Sequence, residues 1–413
     1  MSDQNVILQA SNLFDIIKNH KVSVEEVDPN RAQVGPSVIR YRVKLAPGAK
    51  VSKLRRSAED IGREMAAEAT PIIDNIPGEI YVSVDIARPD RRVEYLSPKI
   101  LENLPSDPHK VLDLNIAAGV TPGGEHVVVN LASMPHMLVA GSTSSGKTVF
   151  LHSILMSLLS KLSEDELEIL LIDPKATDFP LYKDVPHLRG GKVYTESKEA
   201  LVQLRKLTST ELPRRTEILQ EAGFPNIREY NAKEFNLMKP IVVIVDEYAD
   251  LVTMLSKKER DSFEKAMTRL AQRARSVGIH LVLATQRPGV STLSGLLKAN
   301  IPCRVAFRLP QQVDSRVTLD QQGAENLLGK GDMLLKQDKA IRLQGYFIST
   351  EEIRGKLETM FPPKKKEKTI VSMENTKEES PVVEKQSKLM TAWNIFIALT
   401  LLHLFATFVF KGH

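Results

Sequence analysis

Eight consecutive residues, Gly141-Ser142-Thr143-Ser144-Ser145-Gly146-Lys147-Thr148, carry the most specific chemistry in the chain. They read G-x4-G-K-[ST], the pattern of a phosphate-binding loop. The apolar run Met137-Leu138-Val139-Ala140 precedes them, and an apolar-periodic run over 149–159 follows. In that strand–loop–helix setting, successive backbone N–H groups cradle phosphate oxygens and the helix turns its positive end towards them. The expected ligand is ATP with Mg2+: Lys147 reaches the β- and γ-phosphates, and Thr148 offers its hydroxyl to the metal. Ile241-Val242-Val243-Ile244-Val245-Asp246-Glu247 is a second apolar run, closed by two acids. Such a pair completes a phosphate loop. Asp246 is the candidate for the metal shell, and Glu247 for orienting or deprotonating the attacking water.

Two further stretches sit where ligands gather, beyond the ends of buried strands. In Ala284-Thr285-Gln286-Arg287-Pro288, Gln286 is a candidate sensor of the γ-phosphate. Asp173-Pro174-Lys175 ends another apolar run without an evident role. Arg273, Arg275 and Arg316 are candidates for an arginine supplied in trans to a neighbour's phosphates, and the residues alone do not choose among them.

The elements that must hold these groups follow from hydrophobic spacing. Glu168–Ile172, Ile241–Val245 and 279–284 are short, nearly continuous apolar runs, as fully buried parallel strands are. Helical patterns over 197–223 and 259–276 lie between them, so residues 109–360 are expected to form an α/β unit, a parallel sheet with helices on both faces. Residues 1–108 read as a smaller α/β unit. In Val38–Leu45, Ile39, Tyr41, Val43 and Leu45 alternate with Arg40, Arg42 and Lys44, giving a half-buried strand whose basic face either meets a phosphate backbone or is solvated. A helix is expected over 52–67 and a strand over 78–86.

Residues 361–388 hold 12 charged residues in 28 with almost no apolar period, the composition of a flexible tether. Residues 389–410 then run for 22 positions without Asp, Glu, Lys or Arg, long enough to span a bilayer as a helix. Lysines crowd the side before this span and only Lys411 follows it, which orients everything before residue 389 towards the cytoplasm of a cell membrane. No secretory signal pattern opens the chain. Cys303 is the single cysteine, so no intrachain disulfide forms, and the net charge of +5 is a weak pointer to a polyanionic partner.

These stretches, in this order, resemble the motor region of the FtsK/SpoIIIE family of DNA translocases. The likeness rests on Gly141 to Thr148, Asp173-Pro174-Lys175, Val245-Asp246-Glu247-Tyr248-Ala249-Asp250-Leu251 and Leu270-Ala271-Gln272-Arg273-Ala274-Arg275. It continues through Gly278-Ile279-His280, Ala284-Thr285-Gln286-Arg287-Pro288, Lys298-Ala299-Asn300-Ile301-Pro302, Asp314-Ser315-Arg316 and Gly331-Asp332-Met333-Leu334. Residues 1–108 resemble the family's α subdomain, which precedes a RecA-like P-loop core. The resemblance implies a homo-hexameric ring that threads double-stranded DNA and hydrolyses ATP at subunit interfaces. It assigns the trans-acting arginine to Arg275 and pore-loop DNA contacts to Arg287, Lys298 and Arg316, where charge grips phosphates without reading bases. Gln312 stands where the family commonly has a lysine. The family's N-terminal membrane helices and winged-helix reader of orienting sequences have no counterpart, which leaves chromosome segregation and mobile-element DNA transfer both open. The competing readings are a conjugation- or secretion-type ring ATPase acting on protein or single-stranded DNA, and a scaffold that uses ATP only to assemble.

Overall fold

The computed structural model describes residues 3–106, 113–233, 237–289 and 292–362. All of them belong to the first of two units, Met1–Pro363. The charged tether and the apolar span expected over 361–388 and 389–410 lie, from residue 363 onward, outside the described residues. Among the described residues no helix is long and apolar enough to cross a membrane.

The chain opens with helix Asp3–Asn19, whose Val6, Ala10, Leu13 and Ile17 recur every three or four residues and bury one face. That face covers a sheet of β1 (Val24–Val34), β2 (Val38–Leu45), β3 (Ile72–Asn75) and β4 (Tyr81–Ala87), ordered β1-β2-β4-β3 and antiparallel throughout. The alternation in β2 places Ile39, Tyr41 and Val43 in the core. Its basic face does not lie on a sheet edge, because β2 is an inner strand, and its cations are matched by acids. Arg40 donates to Asp85 at 2.7 and 2.9 Å, Arg42 to Glu79 at 2.9 and 3.2 Å, and Lys44 lies 2.8 Å from Glu25. The single helix expected over 52–67 is two, Val51–Arg56 and Ala58–Glu64. The Ser57 N–H tightens onto Leu54 O instead of reaching back four residues, and the α-helix is interrupted there.

The second sheet has nine strands: β5 (Asn115–Val120), β6 (His126–Asn130), β7 (His136–Ala140), β8 (Glu168–Ile172), β9 (Ile241–Val245), β10 (Ile279–Thr285), β11 (Cys303–Phe307), β12 (Asp332–Lys336) and β13 (Ala340–Gln344). Their order is β6-β5-β13-β12-β11-β7-β10-β9-β8. The five from β11 to β8 are parallel, as the apolar runs predict. The other four extend the sheet antiparallel, a feature the expectation of a purely parallel sheet lacked. Only three residues separate β12 from β13 and five separate β5 from β6, too few for a parallel crossover.

Both faces of the parallel strands are buried. Met137, Val139, Val242, Ile244, Val282 and Ala284 point to one side with helix Lys147–Leu159, while Leu138, Ile241, Val243, Val245, Leu281 and Leu283 point to the other. Helices Ser197–Lys206, Leu212–Glu221 and Lys257–Arg273 cover that other side. The first two join through one wide π turn, Leu207–Glu211. Pro213, without an N–H, cannot close the ordinary bond at that point.

The two sheets are locked by a buried ion network. Arg342 on β13 donates to Asp332 on β12 at 3.0 and 2.7 Å and lies 3.5 Å from Asp85 on β4, which also receives Arg40. Arg342, Asp332 and Asp85 are each at most 4 % exposed, so each charge depends on the others for compensation. Ile72 of the small sheet adds an apolar plug among Ala140, Ala306, Leu319 and Leu334.

Burial also keeps three histidines neutral. His136 is pushed down to about 3, and His152 and His280 to about 4. Each takes up its proton near pH 6.5 once the chain unfolds, so their contribution to stability is complete above pH 6.5 and is lost as pH falls towards 4. The thermal midpoint is therefore expected to drop from pH 7 to pH 5. His280→Gln should flatten that slope, corresponding to about 2 kcal/mol less pH-dependent loss at pH 5, measured by unfolding followed by circular dichroism.

Candidate nucleotide site

The parallel register brings the functional loops to one edge. Thr285 pairs with Ala140 and Val245 with Leu283, so the turns after β7, β9 and β10 open together at the carboxyl ends of the strands. The phosphate loop leaves β7 pinned on both sides: Gly141 donates its N–H to Thr285 O at 3.2 Å and Ser142 to Arg308 O at 3.0 Å. Ser145 O accepts the Gly331 N–H at 2.8 Å. Glycine is required where the loop turns into the helix. Gly146 has φ +115°, and a Cβ there would lie 2.6 Å from Gly331 N. At Gly141 a Cβ would lie 2.5 Å from Ser145 Oγ. Helix Lys147–Leu159 starts at once and is buried nearly all round, so the loop has a rigid base.

Lys147 donates from Nζ to the Asp246 carboxylate and to the Asp246 main-chain oxygen, both at 2.7 Å. The pair is almost fully buried, at 3 % and 1 % exposure. Glu247, equally buried, accepts the Thr285 hydroxyl at 2.6 Å and the Gln286 N–H at 2.9 Å, with Lys175 Nζ 3.6 Å away. The Gln286 side chain turns the other way and accepts the Thr143 hydroxyl at 3.1 Å. Lys147, Thr148, Asp246, Glu247 and Gln286 thus converge, and Gln286 ties the loop tip to the second acid.

Two further acids have roles here: Asp173, which the sequence places at a strand end without a role, and Asp178, which it does not single out. Asp173 is fully buried and accepts main-chain N–H groups from Lys175 at 3.2 Å and from Asp178 and Phe179 at 3.0 Å, so it folds the turn after β8. Asp178 accepts the Thr148 hydroxyl at 3.2 Å, and burial together with the nearby Asp246 raises its carboxyl above the usual range. Asp-Pro-Lys signals a turn; nothing in the spacing of Asp178 announces a partner thirty residues earlier.

The remaining candidates are elsewhere. Arg275 is exposed and precedes β10, at the opposite edge of the sheet, about 20 Å of strand from its own loop. Arg273 is exposed beside it. Arg287 is exposed just after β10, on the edge of the phosphate loop. Lys298 is held by Val317 O at 3.0 Å and Asp320 at 2.9 Å, against the helix Gln312–Leu319 that carries the exposed Arg316. Asp320 also receives Arg304, and Gln312 pairs with Gln322.

The residues fit a nucleotide and Mg2+. Among the described residues the buried Ser145 hydroxyl has no hydrogen-bond partner, and two glycines leave no room for a Cβ beside the loop. No cage of three or more His, Cys, Asp or Glu side chains exists among the described residues. Mg2+ needs none, because it binds through one or two protein groups, water and the substrate's phosphates. A phosphate loop between a parallel strand and a buried helix, facing two acids at the end of the next strand but one, defines a P-loop ATPase.

The FtsK/SpoIIIE family model matches residues 107–239 and 232–290, and the FtsK alpha domain matches residues 1–88. "DNA translocase FtsK" of Streptococcus pyogenes serotype M3 (strain SSI-1) is 40% identical over 342 residues, covering 79% of this chain and 41% of the relative. "DNA translocase FtsK" of Pseudomonas aeruginosa is 36% identical over 367 residues, covering 82% and 44%. The chain belongs to the FtsK/SpoIIIE family. It spans about two fifths of the length of these curated relatives. In fold it is similar to the pCW3 conjugation coupling protein TcpA, solved in monomer form with ATPγS, at TM-score 0.56, 23% identity and coverage of 85% of this chain and 99% of that one. The type VII secretion ATPase EccC of Thermomonospora curvata matches at TM-score 0.53, 23% identity, over 62% of this chain and 30% of that one.

Gly146→Ala should weaken binding of a fluorescent ATP analogue at least tenfold. It also lowers the thermal midpoint, since the added methyl meets backbone and the residue keeps a positive φ.

Proposed function

We propose that this chain is the ATP-driven motor of a double-stranded DNA translocase, working as a homo-hexameric ring tethered to the membrane by residues 389–410. The observation that carries the reading is the closed set Lys147–Asp246, Glu247–Gln286 and Gln286–Thr143 within a chain of this family. Residues 1–108 act as its α subdomain and 109–360 as its motor.

The loop from Gly141 to Thr148 holds the phosphates of ATP through its N–H groups and the helix end. Lys147 exchanges its carboxylate partner for phosphate oxygens, which leaves the Asp246 carboxylate to the metal shell with Thr148. Mg2+, when bound, neutralises charge on the β- and γ-phosphate oxygens. Glu247 lies beyond that shell. With its oxygens fixed by Thr285 and Gln286, it orients a water in line with the γ-phosphate and takes its proton. Gln286 connects the phosphate loop to this base, so loss of the γ-phosphate alters both.

Arg275 cannot reach its own loop, and an arginine from an adjacent copy fits the family's ring. Arg287, Lys298 and Arg316 serve as DNA contacts, with Lys298 leaving Asp320 to make its own. Such contacts are electrostatic, so binding weakens steeply with salt.

Glu247→Gln should lower turnover at least a hundredfold while ATP binding stays within threefold, measured by phosphate release and equilibrium titration. Long linear duplex, rather than single strands or protein, should stimulate the parent chain; stimulation by protein or single strands alone would favour the conjugation- or secretion-type alternative. Arg275→Ala and Lys147→Ala, inactive separately, should regain part of the activity when mixed, because some interfaces then combine an intact loop with an intact arginine.

A further inference from the structure

A hydroxyl that ligates a cation does so through an oxygen lone pair, so its proton has to find an acceptor elsewhere. For Thr148 that acceptor is Asp178 Oδ2, at 3.2 Å. The contact is built into the fold. Asp173 folds the turn after β8 by taking the N–H groups of Asp178 and Phe179 onto one oxygen. Phe179 then packs edge-on against His152, and Tyr182 bonds the His152 ring at 3.0 Å. His152 lies four residues beyond Thr148, on the same helix face. The segment after β8 is therefore docked along that face, with Asp178 delivered to the hydroxyl at its start.

We propose that Asp178 is a positioning residue for the metal: it takes the Thr148 proton and turns that oxygen's lone pairs towards the cation that arrives with the nucleotide. This rests on the nucleotide reading above. The carboxylate acts through Thr148, and its loss leaves the hydroxyl free to rotate and donate to the phosphates instead of ligating.

The test uses Mn2+ as the probe, its uptake by the protein–ADP complex followed by electron paramagnetic resonance. Nucleotide affinity is measured separately in EDTA, and folding is checked by thermal unfolding. Asp178→Ala is expected to weaken Mn2+ uptake about tenfold, with nucleotide affinity in EDTA unchanged. Asp178→Asn, which keeps an acceptor oxygen, recovers most of that loss and covers the case in which alanine perturbs folding. In a Thr148→Val background, Asp178→Ala has no further effect, the coupling expected of a residue that acts through its partner. Parent-like Mn2+ uptake in Asp178→Ala, or an equal loss in the Thr148→Val background, would overturn the assignment. A parent protein that binds neither ADP nor Mn2+ sinks the nucleotide reading itself and this inference with it.

Discussion

A lysine and an aspartate, Lys147 and Asp246, meet 2.7 Å apart in a place almost closed to water, and neither charge could be there without the other. Removing one partner of such a pair typically costs about 3–5 kcal/mol. Their meeting also sets geometry. Lys147 begins the helix after β7 and Asp246 directly follows β9, and the parallel register of β7, β10 and β9 brings the two together. The same register brings Thr285 to Glu247 and Gln286 to Thr143. One ionic contact and one sheet order are thus two statements of a single constraint.

Charge elsewhere is handled by the same economy of pairing. The chain has five more lysines and arginines than acids, yet many of its cations are matched internally. Arg40, Arg42 and Lys44 face acids, and Lys298 and Arg304 share Asp320, a residue held in the left-handed region at φ +56° where it caps a helix. Net charge therefore says less about a polyanion surface than the placement of the exposed arginines does. Arg275, Arg287 and Arg316 are among them, and they occupy different parts of the sheet's periphery.

How much was legible depends on how local the signal is. The phosphate loop, the strand ending in Asp246-Glu247 and the alternation in β2 are each contained in ten residues or fewer, and each folds as its spacing dictates. In helix Asp3–Asn19 the four-three-four apolar spacing is diluted by the polar residues between, so its signal is weaker. The antiparallel strands β5, β6, β12 and β13 are harder, because direction is decided by connections and by which edge is free. Asp178 and the Lys298–Asp320 pair were not legible at all. They join residues thirty and twenty-two apart whose meeting depends on a completed turn and a completed helix end.

Arg342 has a practical bearing on any attempt to dissect the molecule. Its guanidinium sits between a carboxylate of each sheet, and its nearer partner Asp332, the residue after the Gly331 that touches the phosphate loop, also accepts the Leu328 N–H. A scissile point chosen in the 107–112 segment would separate the sheets in sequence, but the fragment carrying the ATPase would keep a cation robbed of Asp85 and an empty socket where Ile72 had been seated. The two sheets consequently depend on each other within one compact unit, and neither keeps its charges and packing intact without the other.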